Sequence, residues 1–586
     1  MQSLFDYTKG MQSILLFSTA LIFSLVCTPF IKKFAIIFNL YDAPQAKAER
    51  YKSLAASDGF HKSPVPRLGG ICFVGGFFVS MLLWFFPSDI GNILVFSIIF
   101  FLLGFVDDLH PLSARFRLLC QVSCAAMTVF MGGLSIKFLS LTTETGIHLH
   151  PVFGYILSVF IIVGAINSIN MIDGMDGLAG GIAIIGSVTL SYLHFLISDN
   201  LEVAFILSIP LLGAVLGFLK YNTYPASIFM GDGGSNWLGF ILGVQILLVL
   251  GGGMNAAPAH GIHVPVISAA LCLGVPIVDT AWVIFNRIAK GVSPFTPDAR
   301  HFHHILLKHG LNTQQAVTVI YFTSLLFAVS GIIPVAFPHE HLWIIAYLAF
   351  FALCALLGTT AWSSPMISRL FSRDHFFFAF AHYSQRTRAI LRLWESMNRY
   401  IIYAILCITP LFASSSPEPV GYSAVAMIVL LLISAMFSYR SASDFFPSFV
   451  LALSSSVLLT ANNLKELYVV ILGHSYNIHF LYNYLFIFLA VSVILFIIFS
   501  FRRQYLLVTA TDFLMITLPL LFLLVPDPYR EAYRLNTISI RSLILFIAIR
   551  SVIRRYSRSV FKIRLVTLIA LTYISLKGLL GMRFLF

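Results

Sequence analysis

Charge is scarce in this chain: Asp, Glu, Lys and Arg together make up 10% of its 586 residues, against 59% for hydrophobic side chains. A soluble protein of this length would hold several domains with polar surfaces, and so little charge excludes that organisation. Cysteine is sparse too. Cys27, Cys72, Cys120, Cys124, Cys272, Cys354 and Cys407 all sit in apolar runs without metal-ligand spacing, which points to packing and indicates neither a disulfide framework nor zinc. No basic n-region precedes the apolar stretch 11–31 and no small-residue cleavage site closes it, so this stretch reads as a first span and not as a cleavable signal. A P-loop is missing, because no Gly-Lys-Ser/Thr follows the glycines.

Apolar runs are what the chain has in abundance. Its mean hydropathy is +0.90, and stretches of about 20 residues, the length a helix needs to cross a ~30 Å hydrocarbon core, recur throughout. The expected fold class is all-α, a polytopic integral membrane protein. About eleven spans are expected near 11–31, 69–86, 91–106, 118–138, 153–170, 178–198, 203–219, 236–254, 264–286, 315–337 and 341–361. About seven more follow near 400–414, 420–438, 445–461, 481–500, 505–525, 539–553 and 564–582. The expected division is a membrane domain over 1–361, a basic cytoplasmic linker over 362–399, and an additional multi-span region over 400–586 that carries no acidic cluster or glycine-rich loop. The linker suits either an amphipathic helix on anionic lipid or a plain charged connection.

Excess positive charge, +13 in all, raises nucleic acid as a partner. Its placement argues otherwise. Basic residues fall in alternate loops: Lys32, Lys33, Lys47, Arg50, Lys52, Lys62 and Arg67, then Arg115 and Arg117, Lys220, and Arg287, Lys290, Arg300 and Lys308. The intervening loops hold Asp89, Glu144, Asp199, Glu202 and Glu340. Basic loops stay cytoplasmic, so the N-terminus is expected outside, and no nucleic-acid face forms.

The same alternation gathers four polar clusters on the cytoplasmic side. They are FVDDLHPLSARFRLLCQ (105–121), NSINMIDGMDGLAGG (167–181), YNTYPASIFMGDGGSNWLGF (221–240) and SPFTPDARHFHHILLKHG (293–310). Asp107, Asp108, Asp173, Asp176 and Asp232 at one membrane mouth repel each other unless cations or donor groups offset them. Solvated helix ends would account for an isolated acidic pair. Hard carboxylate oxygens are also what Mg²⁺ takes, usually one or two together with substrate phosphates and water. The neighbouring glycines serve either packing or the close approach of backbone N–H groups to anionic oxygens. The acids of 173–176 lie three apart, which excludes an EF-hand loop. For His301, His303 and His304, phosphate contact, an exposed loop and a zinc site are all open. Arg67 and Arg117 suit interfacial anchoring or the clamping of a lipid phosphate. Asp279, in PIVDTAWVIFNR, either pairs with a polar neighbour or completes the site.

With these segments in this order, the chain resembles the polyprenyl-phosphate N-acetylhexosamine-1-phosphate transferases over about residues 40–310. The resemblance implies transfer of a sugar-1-phosphate from a UDP-N-acetylhexosamine to undecaprenyl or another polyprenyl phosphate with Mg²⁺, Mn²⁺ being a substitute, and release of UMP. It implies catalytic roles for Asp107, Asp108, Asp173 and Asp176, with one of the first pair deprotonating the lipid phosphate. Asn170 and Asp232 match the positions holding the metal. His301, His303 and His304, as HFHH, and Asn222 match phosphate or nucleotide-sugar contacts, and Arg67, in PRLGG, and Arg117 match lipid-phosphate contacts. HFHH and PRLGG look more like enzymes that prime O-antigen, teichoic acid or related glycans; the alternative within the family is phospho-N-acetylmuramoyl-pentapeptide transfer in peptidoglycan synthesis. The expected location is the bacterial cytoplasmic membrane with the site facing the cytoplasm, and a homodimer is an expected assembly. A transporter is the rival class, but coupling acids of transporters lie near the bilayer midplane, whereas these stand at span ends.

Overall fold

The computed structural model describes residues 2–38, 40–42, 65–84, 90–198, 201–251, 262–293, 301–308, 311–338, 341–357, 385–411, 418–437, 535–555 and 557–579, together with short pieces between 448 and 491 and residue 512. Two compact units divide it: Leu16–Phe376, and Met1–Leu15 with Phe377–Phe586.

The first unit is a helical bundle. Its helices are α1 (Gln2–Ile37, from residue 16 onward), α2 (Gly69–Trp84), α3 (Gly91–Leu109), α4 (Ala114–Gly132), α5 (Pro151–Ile172), α6 (Leu178–Ile197), α7 (Leu201–Asn222) and α8 (Gly231–Val249). After them come α9 (Val266–Leu271), α10 (Gly274–Ala289), α11 (Phe302–Lys308), α12 (Thr313–Ala336) and α13 (Trp343–Leu357). Among the described residues, eight helices are long and apolar enough to cross a membrane. Three short antiparallel strand pairs occur among the described residues: β1 (Tyr41–Asp42) with β2 (Val65–Pro66), β3 (Phe138–Ser140) with β4 (Gly146–His148), and β5 (Tyr468–Ile471) with β6 (His474–Asn477) in the second unit.

Every span expected before residue 362 has a helix, and the boundaries that differ are informative. The fourth helix starts at Ala114 because Ser113 caps it, its hydroxyl accepting the Phe116 N–H. The ninth span is broken into α9 and α10 at Cys272 and Leu273. Pro276 explains the break: it lacks a backbone N–H and is tolerated in the first turn of a helix, as here in α10. Three of the acids lie within helices. Asp107 and Asp108 close the last turn of α3, and Asp232 lies in the first turn of α8.

Helix α8 is the centre of the bundle, buried without interruption from Gly233 to Val249 and packed on α2, α3, α5 and α6. Lipid gives packed helices no hydrophobic drive beyond that of its own tails, so close backbone approach through small residues has to supply the contact. A Cβ on Gly239 would stand 2.5 Å from Ile166 Cα on α5, and one on Gly243 3.0 Å from Ile162 Cα. A Cβ on Gly70 of α2 would stand 2.9 Å from Gly234 Cα, and one on Gly104 of α3 would stand 2.6 Å from Gly233 N. Glycines on three faces thus bring α8 against its neighbours and fix where its N-terminal turn comes to lie.

In the second unit, α14 (Gln385–Leu411), α15 (Glu418–Phe437), α16 (Leu535–Arg555) and α17 (Ser557–Leu579) pack together. Arg550 on α16 makes a buried ion pair with Asp512, Nε to Oδ1 2.7 Å. Residues 362–384 of the expected linker, the expected span near 505–525 apart from Asp512, and most of 481–500 lie outside the described residues.

Candidate functional site

A helix N-terminus presents four backbone N–H groups with no partner inside the helix. At α8 the N-cap residue, Met230, offers no side-chain acceptor, and the acceptor arrives from another helix. Asp108 Oδ1 takes the N–H of Asp232 at 2.9 Å and Oδ2 the N–H of Gly233 at 3.0 Å. Gly231, at φ +75, makes the turn, and a Cβ there would meet the Asp108 carboxylate at 2.5 Å. Asp108 therefore fixes Asp232.

Asp107 faces the other way. Its Oδ1 accepts the Leu112 N–H at 2.6 Å, which closes the α3–α4 corner, and its Oδ2 accepts Arg117 Nη1 at 2.6 Å. The same guanidinium nitrogen is 3.8 Å from Asp232 Oδ2. Arg67, whose carbonyl abuts Gly231, adds a second positive charge acting on Asp108 and Asp232. These cations offset the crowding of three carboxylates. Asn170, in the last turn of α5, donates its amide to Asp232 Oδ1 and to Ser235 Oγ, both at 2.8 Å. Asp232 keeps a side chain 36% exposed in the midst of this network.

The loop 173–177 forms a second wall. Asp173 is the C-cap residue of α5. Asp176 is buried and its Oδ2 accepts the Ala226 N–H at 2.8 Å. Asn222 is buried as well; its Oδ1 takes the Gly177 N–H at 3.1 Å and its amide donates to the Ile228 carbonyl at 3.0 Å. Its contacts are thus with the backbone of the wall. From α12, the Tyr321 hydroxyl donates to the Gly177 carbonyl at 2.5 Å.

HFHH meets this loop. A Cβ on Gly174 would stand 2.6 Å from His303 Nε2, so glycine is required for the imidazole to lie there. His303 is buried and neither ring nitrogen has a hydrogen-bond partner among the described residues. Burial, then the charges of His304 and His301, hold its pKa well below the usual histidine value. His301 lies parallel to it, ring centroids 5.7 Å apart and planes 6° apart, and His304 is 4.2 Å from His303, tilted. Asp279 on α10 pairs with His301, Oδ2 to Nδ1 2.9 Å, a pairing with a polar neighbour as one reading of its sequence position had it.

All four sequence segments thus converge. Arg300 lies outside the described residues. Three participants were not foreseen. Gly104, inside an apolar run, carried only the weak signal of a glycine in a span. Ser235 stood within the quoted GDGGS. Tyr321 gave no signal at all, because its role depends on α12 crossing the 177 turn.

The donor set fits a hard divalent cation. Asp232 is partly exposed, the Asn170 carbonyl oxygen takes no part in the two bonds its amide donates, and neighbouring carboxylates are oxygen donors. Among the described residues no group of three or more His, Cys, Asp or Glu side chains could hold an ion by itself. Mg²⁺ takes few protein ligands and completes its shell with substrate phosphates and water.

Comparison with known proteins adds an independent finding. Residues 90–250 match glycosyl transferase family 4. The chain is 32% identical over 340 residues to a probable undecaprenyl-phosphate N-acetylglucosaminyl 1-phosphate transferase of Bacillus subtilis, covering 57% of this chain and 87% of that relative. It is 29% identical over 324 residues to a decaprenyl-phosphate N-acetylglucosaminephosphotransferase of Mycolicibacterium smegmatis, covering 52% and 77%. It is 26% identical over 368 residues to the undecaprenyl-phosphate alpha-N-acetylglucosaminyl 1-phosphate transferase of Escherichia coli K12, covering 61% and 93%.

Proposed function

The chain belongs to glycosyl transferase family 4 as a membrane phosphotransferase, and on that premise we propose that it moves N-acetylglucosamine-1-phosphate from a UDP-sugar to a polyprenyl phosphate and releases UMP. The observation that carries this reading is the convergence on Asp232. Acids, an amide and two arginines from α3, α4, α5 and the segment before α2 meet at the first turn of α8.

Phosphoryl transfer asks a protein mainly for positioning and charge stabilisation. An oxygen of the lipid phosphate bonds to the sugar-bearing phosphorus, the bond from that phosphorus to the bridging oxygen breaks, and its electron pair leaves with UMP. Asp232 and Asn170 would hold Mg²⁺, which when bound neutralises charge on the donor diphosphate. Arg117 and Arg67 receive the lipid phosphate. Arg117 is pre-oriented by Asp107, so the cation costs little ordering when the anion arrives. Asp107, beside the cation that receives the lipid phosphate, is the member of the acidic pair that meets its proton; Asp108 holds α8 in register. The buried imidazole of His303, beside Gly174, suits a phosphate oxygen of the donor. Asp173 and Asp176 shape the nucleotide side, with Asn222 keeping their loop in place.

The proposed setting is the bacterial cytoplasmic membrane with the site toward the cytoplasm, a reading supported by the basic residues of the loops, at the priming step of a cell-surface glycan. The test is UMP release by purified protein given UDP-N-acetylglucosamine, undecaprenyl phosphate and Mg²⁺, with UDP-N-acetylgalactosamine and UDP-N-acetylmuramoyl-pentapeptide as competing donors. Asp232→Asn and Asn170→Ala are expected to abolish release. Retained turnover in both would refute the assignment, and preference for the pentapeptide donor would move the chain to the peptidoglycan branch.

A further inference from the structure

The transferase reading leaves Asp279 without a task, yet its surroundings are specific. It lies about one and a half turns beyond the break between α9 and α10, is buried, and has both carboxylate oxygens engaged by one short stretch. Oδ1 accepts the Phe302 N–H at 2.9 Å and Oδ2 contacts His301 Nδ1 at 2.9 Å. Two bonds from one carboxylate to consecutive residues fix both the backbone and the ring of His301. A carboxylate oxygen is an acceptor, so Nδ1 is the nitrogen that carries the proton. The opposite nitrogen, Nε2, is then the ring atom left for substrate. His303 and His304 face His301 from α11, which begins at the next residue, and the His303 ring, parallel to His301, rests on Gly174 of the aspartate loop.

We propose that Asp279 is a positioning residue of this site, acting through His301: it fixes the Nδ1–H tautomer and the ring orientation so that His301 Nε2 meets the donor diphosphate. The inference rests on the transferase reading. Carboxylates that orient a histidine through its far nitrogen set its tautomer and basicity, and losing them commonly reduces activity by about 10- to 100-fold. An alternative in which Asp279 merely caps α11 would leave His301 chemistry untouched.

The experiment combines turnover with histidine spectroscopy on the full chain in detergent. Asp279→Asn keeps an acceptor for the Phe302 N–H but removes the charge and offers a donor to Nδ1. We expect its kcat for UMP release to fall roughly 10- to 100-fold with the KM for the UDP-sugar within about threefold. In a His301→Gln background the same substitution should cost almost nothing further, because one unit is already broken. Imidazole nitrogen shifts of histidine-labelled protein, assigned by His301→Gln, should show the Nδ1 of His301 protonated in the unmodified chain and altered in Asp279→Asn. The inference is overturned if that Nδ1 bears no proton, or if the two substitutions multiply. Absence of turnover in the unmodified chain would sink the transferase reading alone, since the nitrogen shifts decide the pairing without substrate. Should Asp279→Asn fail to fold, Asp279→Glu enters the same cycle, and full activity of that variant with a displaced His301 signal would equally overturn the proposal.

Discussion

Gly104→Ala tests the idea that backbone contact between α3 and α8 sets the site. A Cβ at position 104 would stand 2.5 Å from the carbonyl carbon of Asp232 and 2.6 Å from the nitrogen of Gly233. The Asp232 carbonyl oxygen is nearer still and ordinary contact begins near 3.4 Å, so the helices must part by at least about 0.9 Å, and the obstructing atoms are backbone that no rotamer change can move. That displacement pulls Asp108 from the N–H groups it holds and shifts Asp232 relative to Arg117. A misplacement near 1 Å costs on the order of 100-fold in rate, and overpacking of this kind about 1–3 kcal/mol in stability. The assay is kcat/KM for UMP release together with thermal unfolding in detergent. Gly91→Ala, in the first turn of the same helix with nothing within 4 Å of its Cβ, is the control and should behave as the unmodified chain. Gly104→Ala with unchanged turnover would refute the role given to the α3–α8 contact.

Asn222→Ala leaves the buried Gly177 N–H and Ile228 carbonyl unpaired, so stability should drop by about 1–3 kcal/mol, read by thermal unfolding; Tyr321→Phe, which loses one bond to Gly177, should cost about 1 kcal/mol. His303 is held neutral by burial, with its pKa below the unfolded value of about 6.5. The folded state therefore binds fewer protons than the unfolded one, and stability present above about pH 6.5 is lost as pH falls below it. Unfolding followed from neutral pH downward should show this slope, and His303→Phe should flatten it. Chelation should stop UMP release and added Mg²⁺ or Mn²⁺ restore it; release that persists after exhaustive chelation would exclude the metal role given to Asp232 and Asn170.

Much of the site was legible before any coordinates, for a reason particular to membranes. Charged side chains are too costly to scatter through spans, so those present collect at span ends, and the alternation of basic loops assigns each end a side. Asp107, Asp108, Asp173, Asp176, Asp232 and the histidines could thus be grouped without knowing which helices touch. Hydropathy also located the spans, since every backbone polar group in lipid must be satisfied within a helix or barrel. Neither signal carries distances. Hydropathy ends where apolar residues end, so it placed Asp232 in a loop, whereas the helix begins before it and takes its cap from Asp108.

The sequence by itself determined the class, the spans and the family resemblance, because composition, length and motif order are written locally along the chain. Only the tertiary structure decided who partners whom. Asp108 serves α8, Asp107 orients Arg117, Asp279 holds His301 and Tyr321 pins Gly177. Each of these pairings joins residues from different elements, and for two of them a glycine makes the room: Gly104, where α3 meets α8 beside Asp232, and Gly181, against which the Tyr321 ring lies. A glycine in a span reads as a mere absence of side chain until the neighbouring helix that fills its space is known.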